Sequence, residues 1–423
     1  MALEDEAVNG QVAESVTEQL SGNGPSRTRV ALLGSGDFSR ELVGALQRLG
    51  AEVIAVDRYA DTGLDGIVDR SAVVDLSDRD ELAAAIGWLQ PRFVVVASDT
   101  VATDALSDAV ETGVTTVVPG IRGARLAADA EAMRRLASDE LGLPTAPFWF
   151  AGSLEELRSV AEHGGYPMSV KPVRGLLGEG RSVMIRDSDI EPAWRRAVTS
   201  NAAGVTPRVL AETVVDFDSE VTLLAVHRDG PAGPALDFCA PIGHRSIEGP
   251  NGQLTREFWQ PHPMSRVALD AARSIAARVA RALGGRGMFG VELLVHGDEV
   301  YFAGVDVRPY DATLLTTRTQ RLSGFELQAR GILGLATDPL MVSPGAARLI
   351  YSRPGARATD PKPDSADAVA EALGVAESDV VLFGRHEGHP RRRLGLALAT
   401  GPDVTVARDR AEQVAAALGR IWP

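Results

Sequence analysis

Short apolar segments alternate with helix-like stretches over the first third of the chain. The apolar segments lie at 29–34, 52–56, 92–97 and 115–118. Parallel neighbours in a sheet must be joined by a crossover, usually a helix, so this alternation predicts a parallel, doubly wound sheet. The sequence therefore predicts a Rossmann-like domain over 29–127. The residues before it, 1–28, are polar and acidic and predict a disordered tail.

The rest of the chain predicts further mixed α/β structure. A helix at 128–141 is followed by strands at 148–151, 167–172, 182–186, 208–212 and 220–227, with a glycine-rich turn at 175–180. A long helix at 263–284 precedes two strands that Gly297 and Asp298 join as a hairpin. We expect one domain over 128–345 and a small C-terminal α/β module over 346–423.

The charge of the chain argues against nucleic acid or a membrane surface as a partner. The net charge is −14 and the pI about 5.1, whereas phosphate backbones and anionic lipids attract basic surfaces. Cys239 is the only cysteine, so no disulfide framework can form within the chain. Neither a signal-peptide pattern nor an apolar run of about 18 residues is present. We therefore expect a cytoplasmic protein.

Lysine is rare in this sequence. Lys171 and Lys362 are the only two lysines, against 41 arginines. Because the sequence uses arginine almost everywhere else, a lysine at the end of a predicted strand favours a functional role for Lys171. A solvated surface lysine is the alternative.

Six short segments together resemble one family. They are VDRYAD at 56–61, FCAPIGHR at 238–245, WQP at 259–261, FGVEL at 289–293, RPYD at 308–311 and RRLG at 392–395. In this order and spacing the chain resembles the formate-dependent phosphoribosylglycinamide formyltransferases over roughly 29–415. The resemblance implies a Rossmann-like N-terminal domain, an ATP-grasp central domain with a nucleotide-binding subdomain at about 142–215, and a small C-terminal α/β module. It also implies a homodimer that makes formyl phosphate from ATP and formate and transfers the formyl group to phosphoribosylglycinamide.

The resemblance implies a site for ATP. Lys171 would contact the nucleotide phosphates, since phosphoryl transfer depends on neutralising phosphate charge. Glu212 and Val215 would lie beside the adenine, and Glu220 would bind the ribose. For each glutamate, an ordinary exposed side chain is the alternative.

The resemblance also implies a site for Mg²⁺. Glu292 matches a metal ligand of the family and lies on an apolar strand, where a carboxylate is costly unless it is paired or bound to a metal. Asp306 would project from the same strand face as Gly304, which occupies the position of the second metal ligand. We therefore expect Glu292 and Asp306 at the metal. The residues expected to be catalytic are Lys171, Arg308 and Asp311.

A phosphorylated small-molecule substrate is expected at the opposite end of the site. Guanidinium groups bind phosphate in a bidentate manner, which favours the basic stretch near the C-terminus. A solvated basic face is the alternative interpretation of that stretch. The expected substrate-binding residues are Asp37, Phe38, Asp311, Arg385, Arg392 and Arg393.

Four positions depart from the family pattern. Glu179 replaces a lysine of the glycine-rich loop, Ala130 replaces an ATP-contacting arginine, Gly304 replaces a Mg²⁺-binding glutamate, and Ala97 replaces a glutamate that contacts glycinamide. At an effective dielectric near 20, a unit charge about 4 Å from another contributes roughly 4 kcal/mol. We therefore expect weakened binding of ATP and Mg²⁺.

Three functions stay open from the sequence. One is an ATP-grasp ligase or formyltransferase acting on a phosphoribosyl amine. Another is a diverged paralogue that binds a phosphorylated, ribose-like ligand and no longer uses ATP. The third is a nicotinamide-dependent oxidoreductase, because Gly34, Gly36 and Asp57 partly match a dinucleotide-binding pattern, although Ser39 stands where the pattern needs its third glycine.

Overall fold

A computed structural model of the chain describes residues 27–60, 63–98, 100–111, 113–173, 180–199, 207–230, 233–248, 253–352, 365–383 and 392–421. Across these ranges the strands form three β-sheets. Nearly all of the predicted acidic tail lies outside the described residues, as do Glu179 and Arg385.

The N-terminal sheet is parallel, as the alternation of strands and helices predicts. Its elements are β1 (Arg29–Leu33), α1 (Ser39–Arg48), β2 (Glu52–Asp57), β3 (Arg70–Val73), α2 (Arg79–Leu89), β4 (Phe93–Val96), α3 (Thr103–Glu111) and β5 (Thr116–Val118). The strand order is β3-β2-β1-β4-β5, and every neighbouring pair is parallel. The Rossmann-like fold class is confirmed.

Two short helices connect this sheet to the next one. They are α4 (Ile121–Ala127) and α5 (Ala130–Arg135), and a π-helical turn, Leu136–Glu140, follows. The Asp129 carboxylate accepts hydrogen bonds from the N–H groups of Glu131 and Ala132, which caps α5. The single helix predicted at 128–141 is therefore a capped α-helix that ends in a π-helical turn.

The second sheet has four antiparallel strands. Its elements are β6 (Phe148–Ala151), α6 (Leu154–Gly164), β7 (Met168–Pro172), β8 (Ser182–Met184), α7 (Ile190–Thr199) and β9 (Val209–Thr213), in the strand order β6-β9-β7-β8. Met168 and Val170 pack into the core beneath α6 and α7. Because side chains alternate along a strand, Ser169 and Lys171 project from the opposite face.

The third sheet contains the remaining nine strands of the described chain. Its elements are β10 (Ser219–Gly230), β11 (Gly233–Phe238), β12 (Ile242–Glu248), β13 (Leu254–Gln260), α8 (Arg266–Leu283), β14 (Gly287–His296), β15 (Glu299–Asp306), α9 (Thr316–Thr319), α10 (Gly324–Leu333), β16 (Gly345–Tyr351), α11 (Ala366–Leu373), β17 (Ser378–Leu382), β18 (Arg393–Thr400) and α12 (Val404–Gly419). The order is β15-β14-β10-β12-β13-β16-β18-β17, and β11 pairs with β10. The strands after residue 345 therefore continue the central sheet.

One face of this sheet is covered by α8. Ala268, Ala272 and Ala276 of the helix are fully buried in the same cluster as Val291 and Leu293 of β14. Small alanine side chains let the helix lie close to the strands. No helix in the described ranges is long and apolar enough to cross a membrane.

A glycine joins the N-terminal domain to the central sheet. Gly285 has φ +79°, and a Cβ there would lie 1.2 Å from the Pro119 carbonyl oxygen. The next residue, Arg286, donates its backbone N–H to the same oxygen at 2.8 Å. Since only glycine fits this contact, the position fixes how the two domains meet.

A β-bulge interrupts the pairing of β14 with β15. Glu292 pairs with Gly304 and Leu293 pairs with Phe302, so Ala303 has no direct partner. The bulge turns the end of β15 and brings Gly304 directly opposite Glu292.

Candidate active site

Four polar side chains share the face of the central sheet that α8 leaves open. Glu220 pairs with His244, and Thr222 pairs with Glu292. Directly opposed residues of neighbouring strands project to the same side, as do residues two apart on one strand. The fold therefore gathers Glu220, Thr222, His244 and Glu292 into one cluster.

Burial controls the charge of this cluster. Burial raises the pKa of Glu220, and the nearby Glu292 carboxylate raises it further, against the opposing charges of Arg181 and Arg256. Burial lowers the pKa of His244 to about 4, which leaves its imidazole neutral at pH 7. His244 Nδ1 lies 3.7 Å from Glu220 Oε2, and His244 Nε2 has no hydrogen-bond partner among the described residues.

Lys171 and Glu212 form an ion pair on the open face of the four-stranded sheet. Lys171 Nζ lies 3.0 Å from Glu212 Oε2, and the guanidinium of Arg134 binds Glu212 Oε1. Burial alone would raise the pKa of Glu212, but Lys171 and Arg134 outweigh it and hold that pKa below its usual value. Glu212 is therefore ionised, and Lys171 is held beside it.

Arg134 connects this ion pair to the central sheet. Its guanidinium is nearly fully buried and donates to the backbone carbonyls of Phe302 at 3.1 Å and Ala303 at 3.2 Å. These carbonyls flank the bulge of β15. A single buried arginine therefore connects the four-stranded sheet to the strand that carries Gly304.

Ala130 lies at the entrance to the glycine-rich turn. Its backbone N–H donates to the carbonyl of Val173 at 3.3 Å. Val173 is the last residue described before the turn. The position is therefore bonded to the residue that follows β7, but a methyl group cannot donate a hydrogen bond to a phosphate.

One carboxylate, that of Glu292, lies close to the position where a metal is expected. A Cβ built on Gly304 would lie 3.6 Å from Glu292 Oε2, so a side chain there would meet Glu292 directly. Asp306 pairs with Gly290, and the buried Tyr310 phenol has its pKa raised by burial and by both Glu292 and Asp306. No group of three His, Cys, Asp or Glu side chains in the described ranges could hold a metal ion alone. Mg²⁺ commonly uses one or two carboxylates together with substrate phosphates, so these residues fit an ion that arrives with a nucleotide.

Asp311 lies at the centre of a second buried cluster. Arg393 contacts its Oδ1 at 2.8 Å, Arg256 contacts its Oδ2 at 3.2 Å, and the Tyr351 hydroxyl also donates to Oδ2. Burial would raise the pKa of Asp311, but the two guanidinium groups outweigh it and lower that pKa. Asp311 is therefore a buried, ionised anchor for two arginines.

Arg393 joins this cluster to the N-terminal domain. Its Nη1 lies 3.2 Å from Asp37 Oδ2, and its guanidinium stacks over the Phe38 ring at 4.5 Å. Arg393 thus contacts three other residues expected at the substrate, Asp37, Phe38 and Asp311. The arrangement can present the edge of the Arg393 guanidinium to an anionic group.

The other expected residues lie around these two clusters. Arg392 is half-buried, and its backbone N–H donates to Ser352 Oγ at 2.9 Å. Val215 is half-buried between β9 and β10, and Arg308 is half-buried after β15. Ala97 packs against the core at the end of β4. The roles expected for these residues stay predictions.

The glycine turn after β1 is closed by the acidic residue that follows β2. Asp57 Oδ2 accepts hydrogen bonds from the Ser35 N–H at 2.8 Å and the Ser35 hydroxyl at 2.5 Å. A dinucleotide-binding acid must instead face a ribose. The geometry gives no support to the nicotinamide hypothesis.

Several site residues escape the sequence-based prediction. Arg134, Arg181, His244, Arg256 and Tyr351 all contact or influence predicted site residues. The motif FCAPIGHR contains His244 and so could have identified it. Nothing in the sequence near Arg134 or Arg256 indicates that these arginines are buried.

Comparison with known proteins gives first the class and then the family. A family model described as ATP-grasp domain matches residues 136–325, and one described as PurT, C-terminal, matches 365–418. A carboxyaminoimidazole ribonucleotide synthase from Aspergillus clavatus, solved with ATP, has a TM-score of 0.77 at 20% identity, covering 93% of this chain and 99% of that one. The fold is thus that of an ATP-grasp protein, and ATP-grasp enzymes use ATP and Mg²⁺.

Closer relatives define the family. Formate-dependent phosphoribosylglycinamide formyltransferases from Rhodococcus jostii and Burkholderia pseudomallei are 46% and 45% identical to this chain; the first covers 92% of this chain and 94% of that protein, the second 96% and 98%. The structure of glycinamide-RNase-transformylase T from Mycobacterium tuberculosis is 52% identical, with a TM-score of 0.76 over 92% of this chain and 99% of that one. The chain belongs to the family of formate-dependent phosphoribosylglycinamide formyltransferases, as its six motifs indicate.

Proposed function

We propose that this protein is an ATP-dependent acyltransferase. It activates formate, or another small carboxylate, as an acyl phosphate and transfers the acyl group to the amine of phosphoribosylglycinamide or a related small molecule. The observation that carries the proposal is the Lys171–Glu212 ion pair, held on the open face of the four-stranded sheet in a chain whose relatives are formyltransferases. We also propose that the protein is cytoplasmic and forms a homodimer. Light scattering on the purified protein tests the dimer.

The nucleotide end of the site rests on retained charges. Lys171 has three N–H donors, and within the described ranges Glu212 is its one ion-pair partner, which leaves donors for phosphate oxygens. Glu220 offers a carboxylate to the ribose, and Val215 lies near the base. Glu292 and Asp306 would hold Mg²⁺, which neutralises phosphate charge during phosphoryl transfer.

The acceptor end rests on the Asp311 cluster. Asp311 holds the guanidinium groups of Arg256 and Arg393 in fixed positions, and Arg393 also contacts Asp37. Such preorganised guanidinium groups bind phosphate more tightly than mobile ones. Ala97 removes a carboxylate that the family uses on glycinamide, so we propose that the amine-bearing part of the acceptor differs in this protein.

A second candidate function rests on Ala130 and Gly304. The alanine methyl group cannot donate a hydrogen bond to a phosphate, and glycine has no side chain to bind a metal, which favours a paralogue that binds a phosphorylated, ribose-like ligand without ATP. Nucleotide binding separates the two candidates.

The deciding experiment measures ADP release from ATP, Mg²⁺ and formate in the presence of phosphoribosylglycinamide or a related phosphoribosyl amine. We expect ADP and a formylated amine, each dependent on formate. Thermal stabilisation by phosphoribosyl compounds without any binding of ATP supports the second candidate. A protein that binds neither ligand contradicts both.

A second carboxylate at residue 304 should strengthen metal binding. Gly304 has ordinary backbone geometry, and the nearest atom to an added Cβ is Glu292 Oε2, so Gly304→Glu fits without a backbone clash. Because ligand charge sets the affinity for divalent cations, we expect Mg²⁺ affinity in the presence of ATP to rise roughly three- to tenfold. Calorimetric titration measures it, and Gly304→Gln is the neutral control. Equal affinities in the two variants would show that residue 304 does not face the metal.

A further inference from the structure

Glu179 stands where the family has a lysine in the glycine-rich loop, so another positive side chain is needed to bind the phosphates of a nucleotide. Arg181 is the first residue after the glycine-rich turn at 175–180. It follows Gly180, which has a positive φ of +70°. Arg181 therefore lies two residues from the charge that the loop has inverted.

A hydrogen bond directs Arg181 across the open face of the four-stranded sheet. Its Nε donates to Ser169 Oγ at 3.2 Å. Ser169 is buried, lies two residues before Lys171 on β7, and pairs directly with Glu212 of β9. Lys171, Ser169 and Glu212 therefore share one face, and the guanidinium of Arg181 lies on it.

The charge of Arg181 also reaches the central sheet. It is the strongest of the charges that oppose the rise in the pKa of Glu220, and it helps Lys171 and Arg134 to lower the pKa of Glu212. Glu212 belongs to the four-stranded sheet and Glu220 to the nine-stranded one. Arg181 is thus bonded to the face of the four-stranded sheet that carries Lys171, and its charge acts on a carboxylate of each sheet.

We propose that Arg181 binds the phosphate chain of the nucleotide and replaces the positive charge that Glu179 removes from the loop. The Nε bond to Ser169 fixes one side of the guanidinium, and the Nη atoms form its other edge, which suits bidentate binding of a phosphate. This inference rests on the proposed use of ATP. It also explains how a loop with an inverted charge remains compatible with an anionic ligand.

The test compares ATP affinity in wild type and Arg181→Gln by calorimetry, with folding checked by thermal denaturation. One lost charge-assisted contact should weaken binding about 10- to 100-fold. Arg181→Lys should retain part of the affinity. Arg186→Gln is the matched control, because Arg186 is an exposed arginine just beyond β8 that pairs with Asp189.

A double variant separates phosphate binding from simple neutralisation of Glu179. If Arg181 binds phosphate, Glu179→Gln combined with Arg181→Gln should still bind ATP more weakly than Glu179→Gln alone. Full recovery in the double variant would overturn the inference, as would equal affinities of wild type and Arg181→Gln. If wild type does not bind ATP at all, the proposed function fails and this inference fails with it.

Discussion

Replacing Glu257 with glutamine should lower the free energy of unfolding by about 3–5 kcal/mol, the range seen when one partner of a buried ion pair is removed. Glu257 is fully buried on β13. Its carboxylate contacts Arg245 at 2.6 Å, Arg348 at 3.2 Å and Arg408 at 2.8 Å. Glutamine keeps the shape but leaves three guanidinium groups without the charge that balances them.

The loss should depend on pH. Burial would raise the pKa of Glu257, but the three arginines outweigh it and lower that pKa in the folded protein. A group with a depressed folded pKa stabilises the fold above its unfolded pKa, near 4.3 for glutamate, and the stabilisation is lost as the pH falls through the folded pKa. The difference between wild type and Glu257→Gln should therefore be largest at neutral pH and shrink below about pH 4.

Glu412 provides a matched control. It contacts the same Arg348 at 3.2 Å, but its side chain is 62% exposed. Exposed ion pairs contribute about 0–1 kcal/mol, so Glu412→Gln should barely change stability. Urea unfolding of both variants at several pH values measures the effect. Equal losses in the two variants would show that the burial of Glu257 does not matter.

The N-terminal sheet could be predicted because its strands are locally apolar. β1, β2 and β4 are buried almost throughout, and such runs identify strands without knowledge of their partners. β3 was missed because it is an edge strand whose residues alternate between half-buried and exposed. Strands β11, β12 and β13 were missed as strands because polar residues such as His244 and Glu257 become buried only through pairing across the sheet.

The side-chain clusters depend on contacts that are far apart in the sequence. Arg134 meets Glu212 and Phe302, which lie 78 and 168 residues away. Arg393 meets Asp37 across 356 residues. Residue type and family motifs predicted which side chains to consider, including Lys171, Glu292 and Asp311. They could not show that Arg393 is tied to Asp37, because nothing local to either residue encodes that contact.

Replacing Glu292 with glutamine should reduce turnover by about 10²- to 10³-fold, the range seen when one group that stabilises transition-state charge is removed. The resemblance places Glu292 at one of two metal-ligand positions, and Gly304, which lies directly opposite it, at the other. The side chain is half-buried on the open face of β14, so glutamine fits and the fold should persist. The loss should therefore appear in the chemistry and not in the melting temperature.

Nucleotide binding distinguishes a metal ligand from a structural carboxylate at Glu292. In wild type, Mg²⁺ should strengthen ATP binding, and in Glu292→Gln that gain should largely disappear. Without Mg²⁺, Glu292→Gln should bind ATP slightly more tightly than wild type, because removing a negative charge beside the phosphates relieves repulsion. Glu299→Gln is the control, because Glu299 is an exposed carboxylate on the neighbouring strand, bonded to Tyr301. If Mg²⁺ strengthens ATP binding equally in wild type and Glu292→Gln, then Glu292 does not hold the metal, and Asp306 becomes the carboxylate to replace.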